Sequence, residues 1–147
     1  MKTITKILIL ALCILVSLSS CAFFKSLVND VAAETERVAH FAEDFAGLVE
    51  NPTVENAQDL IHPSSPITAE TVISKIENNE KLNNLDPTAK ISVGKITNLS
   101  ISHHDATLGG NVYTADCEIM VGNTPIIVKL KLLSTDEGFG LYDFDIK

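Results

Sequence analysis

Tryptophan is absent from this chain, and two tyrosines and six phenylalanines supply every aromatic ring in its 147 residues. That scarcity argues against a sugar-binding platform of stacked rings. Positive charge is also sparse, with 11 Lys and Arg against 19 Asp and Glu and a net charge of −8. Sequence-independent nucleic-acid binding takes most of its affinity from basic side chains on phosphates, so it is excluded. A polybasic membrane patch is excluded for the same reason. Three cysteines are too few for a disulfide scaffold at this length. No P-loop, dinucleotide fingerprint, G-x-S-x-G, H-E-x-x-H or C-x-x-C occurs, and there are no internal repeats or low-complexity linkers. What remains is a chain long enough for one domain with a real core, burying roughly 70% of its unfolded surface.

The first twenty residues differ from the rest. Lys2 and Lys6 come without an acid, Ile7 to Val16 is free of polar side chains, and Ser17-Leu18-Ser19-Ser20 is mostly small and polar. A positive segment, a short apolar run and small residues make up a secretory signal. The run is shorter than the ~20 residues needed to cross a bilayer. Leu18-Ser19-Ser20-Cys21 resembles the bacterial lipobox. The resemblance implies cleavage between Ser20 and Cys21, residues 1–20 being removed, and a diacylglyceryl group on the Cys21 sulfur. Each acyl CH₂ buried contributes about 0.8 kcal/mol, so two or more chains anchor stably. Ala22, rather than Asp, after the cysteine implies outer-membrane sorting in a two-membrane cell. Loss of Lys2 and Lys6 leaves residues 21–147 with nine basic and 19 acidic residues. Cys117 is then the one remaining thiol, and its alternating strand context marks it as a small buried hydrophobe.

Residues 21–147 are expected to form a single α+β domain. Phe24 to Val49 reads as a long amphipathic helix, with Phe24, Leu27, Val31, Val38, Ala42, Phe45 and Val49 in one stripe and Ser26 as its cap. Pro52 is placed at the first position of a short helix lined by Val54, Ala57, Leu60 and Ile61. After the Pro63-Ser64-Ser65-Pro66 turn, Thr68 caps a third helix to about Asn78, with Ile67 stapled on Val72. Asn79 to Thr88 is a polar connection with room for one helical turn. From Ala89 the period changes to two. Ile91 to His103 reads as a strand curved at Gly94, Tyr113 to Val121 as a half-buried strand, and Gly122-Asn123 as a hairpin turn. Ile126 to Leu133 and Phe139 to Ile146 complete a curved antiparallel sheet of about four strands carrying three helices.

This order resembles the nuclear transport factor 2-like (cystatin-like) superfamily, and in particular its small bacterial lipoproteins. Residues Phe41 to Phe45 and Glu55 to Pro63 look like that class's first two helices, and Leu132 to Ile146 like its last hairpin, with Phe139 where Trp is common. The resemblance implies a cone-shaped domain with a concave sheet face. It implies no reaction.

Candidate site residues are few. His40 and Asp44 are four apart on the first helix, within reach of each other but on its solvent side. His103-His104-Asp105 looks like a metal site, yet strand neighbours point to opposite faces, so a solvated turn is expected. Asp136-Glu137 and Asp143/Asp145 lack calcium-loop spacing and are read as surface acidity. Asn98-Leu99-Ser100 matches a glycosylation acceptor but is set aside, because the lipobox implies a bacterium. The expectation is a non-enzymatic lipoprotein of the cell envelope, without cofactor or metal. Its partners are the membrane, through Cys21, and a protein still to be identified. The alternative is a small apolar ligand held between helices and concave sheet. A pocket enzyme using His40 or His103 is a third reading, which requires a histidine and a carboxylate to converge inside that space.

Overall fold

The computed structural model describes residues 30–84 and 86–147. The expectations for Ser20, Cys21, Ser26 and the stripe residues Phe24 and Leu27 lie outside the described residues. Contacts divide the chain into Met1–Arg37 and Val38–Lys147. Residues 30–37 of the first unit are helical, and Val31 is exposed there, against the sequence expectation.

The chain is helical over residues 30–50 (α1), and α2 follows at Val54–Leu60. Thr53 caps α2 by accepting from the Asn56 backbone N–H, so Pro52 precedes the cap and does not open the helix as expected. Val54, expected on the apolar side of α2, is exposed, while Ala57 is fully buried. The third helix, α3 (Ala69–Glu77), begins at the Thr68 cap as expected. A further turn, α4 (Glu80–Asn83), is capped by Asn79. Among the described residues the helices therefore number about four, all N-terminal to the sheet.

The sheet is antiparallel and open, in the order β1 (Ile91–Asp105), β2 (Gly110–Val121), β3 (Thr124–Thr135), β4 (Gly138–Ile146). Val121 pairs with Thr124 across Gly122-Asn123, whose Gly122 has φ 60°, a conformation glycine adopts without penalty. The ladder between β1 and β2 slips between Val93 and Ile96, around Gly94 as expected. It slips twice more, near Asn98 and His104, both with φ 52°. These bulges bend and twist the strand.

Alternation sorts the faces. Tyr113, Ala115, Cys117, Ile119 and Val121 of β2 join Ile126, Val128, Leu130 and Leu132 of β3 in one core. Within the second unit, α1 contributes Val38, Phe41, Ala42, Phe45 and Ala46 to that core, and α3 contributes Val72, Ile73 and Ile76. Phe45 meets Phe144 edge-on at 5.2 Å, and Phe41 meets Phe139 at 5.8 Å. Each large side chain so buried contributes about 1.5–3 kcal/mol. The other face carries charge in register: Asp116 lies opposite Lys129, which lies opposite Asp145. Opposite charges across strands stabilise the sheet and suit a solvated surface.

Candidate functional site

Two places in the second unit combine polar chemistry with a defined shape. The first is buried. α2 ends at Leu60, and Ile61 takes an extended conformation (φ −78°, ψ 130°) that bridges to Leu141 of β4. The His62 N–H donates to the Leu141 carbonyl at 2.9 Å, and the Ser65 hydroxyl donates to the Tyr142 carbonyl at 2.8 Å. A β-carbon on Gly140 would stand 2.7 Å from the His62 nitrogen, so only glycine permits this approach. The segment carries His62 inside, 1% exposed. Its Nδ1 accepts from the Ser64 N–H at 3.0 Å, which leaves Nε2 as the protonated nitrogen, donating to Thr135 Oγ1 at 3.0 Å. The Ser64 hydroxyl donates to Glu137 at 2.8 Å. Both ring nitrogens are therefore engaged, and the imidazole ties the turn after α2 to the β3–β4 turn.

The second is an open cleft of about 560 Å³ where α1, α3 and β2 end and β1 begins. Val49, Ile76, Leu82, Ala89, Ile91 and Val121 give it an apolar lining. Glu50, Glu77, Asp86 and Lys90 give it a charged rim. The connection into β1 is held in place from both sides. The Gly122 N–H donates to the Lys90 carbonyl at 2.8 Å, and the Ala89 N–H donates to the Asp86 carbonyl at 2.9 Å. The Asp86 carboxylate accepts from the Thr88 hydroxyl and N–H, and these bonds lower its pKa, hydroxyl first. Asp86 is thus ionised across the neutral range. The ion pairs formed among the described residues do not involve Glu50, Glu77 or Lys90.

The candidates read from sequence are dispersed. His40 and Asp44 are both exposed on the solvent side of α1, as expected, and His40 Nδ1 lies 3.5 Å from the Glu43 carboxylate. His103 and His104 are exposed at the last bulge of β1, where the His104 N–H donates to Asn111. Asp105 accepts from the Thr107 and Leu108 N–H groups and so closes the β1–β2 turn. Among the described residues, no three His, Cys, Asp or Glu side chains gather as a metal site. Asp143 sits 3.4 Å from Lys75, Asp136 and Asp145 are exposed, and Glu137 belongs to the His62 network. Asn98 donates to Asp116. Cys117 is fully buried, and burial pushes its thiol up to about 11, with Asp116 adding to the shift.

Sequence reasoning missed His62 and the whole cleft. A usable signal existed for the cleft: Glu50 and Glu77 are acids at helix C-termini, where the helix dipole disfavours them. No described helix is long and apolar enough to cross a membrane. No family model, curated protein or solved structure matches the chain.

Proposed function

We propose that this chain is a lipid-anchored, non-enzymatic binding protein of the bacterial envelope, tethered through Cys21 and carrying a cystatin-like, nuclear transport factor 2-like domain. The observation that carries the binding role is the cleft at the helix ends, a recess with an apolar lining that opens to solvent. Support for the tether comes from Leu18-Ser19-Ser20-Cys21 after a basic, apolar leader. A soluble domain held by two or more acyl chains needs neither a spanning helix nor a basic patch, which suits its acidic composition. Against the inner face of the sheet, Phe41, Phe45 and Val72 already occupy the space that an apolar ligand between helices and sheet would need. The cleft replaces that space as the ligand-accessible surface.

The test is metabolic labelling with an alkyne fatty acid, followed by membrane fractionation of the wild-type and Cys21→Ala chains. The wild type takes up label and sediments with membranes. The variant takes up none and leaves the membrane fraction; a variant that stays there unlabelled overturns the anchor.

A further inference from the structure

The cleft at the ends of α1 and α3 has a lining and a rim that together specify a chemical class. We propose that it binds a small amphiphilic cation, with an apolar body against Val49, Leu82 and Ile91 and an ammonium group at the rim. This rests on the reading of the chain as a binding protein and names the ligand class.

Three observations converge. The volume of about 560 Å³ lies within the range of small-molecule sites, and eight of the lining side chains, two of them prolines, are apolar. The rim carries three carboxylates, Glu50, Glu77 and Asp86, against the single ammonium of Lys90. The last turns of two helices end there as well, and helix C-termini present the negative ends of their dipoles. Every fixed charge at the mouth except Lys90 therefore favours a cation. An anion would meet carboxylates and carbonyl dipoles together, and a neutral apolar molecule would leave them unused.

The placement of Glu50 and Glu77 strengthens the assignment. Each is the last residue of its helix, where an acid opposes the dipole and a lysine would serve stability better. Neither is compensated by an ion pair among the described residues. Local rules broken without structural compensation mark functional positions. A rim that attracts a cation accounts for both departures at once.

The experiment uses the lipidated full chain in non-ionic micelles, with methyl-labelled Ile, Leu and Val. Three probes share one apolar body: 3-phenylpropylamine, 3-phenylpropanol and 3-phenylpropionate. The amine shifts the methyls of Val49, Leu82 and Ile91 saturably and binds about tenfold or more tightly than the carboxylate, as several rim charges of one sign require. Glu50→Gln and Glu77→Gln each weaken the amine about threefold, leave the alcohol unchanged, and keep or raise Tm because the helix dipole is relieved. Equal binding of all three probes overturns the charge assignment. Amine shifts confined to methyls outside the cleft, or no saturable shifts, overturn the site. A failed titration beside a Cys21-dependent membrane fraction removes the ligand class and leaves the anchor standing.

Discussion

His62 Nε2 lies 3.0 Å from Thr135 Oγ1, joining residues 73 apart in sequence inside the second unit. The same hydroxyl accepts from the Glu137 N–H at 3.1 Å, and the opposite ring nitrogen accepts from Ser64, so one imidazole serves two turns. A buried ring satisfied on both sides has a structural duty, and His62 does not line the cleft at the helix ends. His62→Ala leaves the Ser64 N–H without its acceptor and opens a void. The expected loss is about 2–4 kcal/mol in urea unfolding at pH 7. A loss under about 0.5 kcal/mol, the range of ordinary surface changes, would show that the network does not hold the turns together.

Cys117 offers a measurable contrast between folded and unfolded chain. Its thiol is fully buried and pushed up to about 11, so thiolate does not form at pH 8 while the domain is folded. Ellman's reagent should react with it only through unfolding, at a rate that rises with denaturant. The linkage sign is that of a raised acid. The folded state gains relative stability below the ordinary thiol value of about 8.5 and loses it progressively as pH rises from there to about 11. Cys117→Ala should flatten that alkaline decline. Rapid labelling under native conditions would contradict the burial.

Asp116 governs the acid side. Its pKa is lowered by the Lys147 ammonium hydrogen bond first and by the Asn98 amide next. The stabilisation is present above the ordinary Asp value of about 3.9 and disappears as pH falls through the lower folded value. Asp116→Asn should therefore reduce Tm at pH 7 and approach wild type as pH falls below the ordinary Asp range. Because its Lys147 partner stands in solvent at the sheet surface, 1 M salt should shrink the difference. Identical Tm-versus-pH curves for the two proteins would exclude the pairing.

Most of the element order was legible from local signals. Thr68, Gly94 and Gly122 act through backbone geometry within a few residues, and each lies where its chemistry requires. The apolar alternation of β2 likewise predicts its buried face. His62 was illegible for a definite reason. A helical projection carries it away from Ala57, but the helix stops at Leu60, and the extended Ile61 turns the next side chain inward.

The sequence by itself determined the α+β order, the Thr68 cap, the Gly122-Asn123 turn, the acidic balance and the lipobox expectation at Cys21. These depend on interactions within a turn of helix, a hairpin or a single peptide segment. Only the tertiary structure decided that Gly140 admits the His62 segment, that Glu50, Glu77 and Asp86 share one rim, and that Val54 stays in solvent. Those outcomes depend on which distant segments approach one another. Hydrophobic burial is non-directional, so a local pattern specifies that a face is covered but not which side chains meet beneath it.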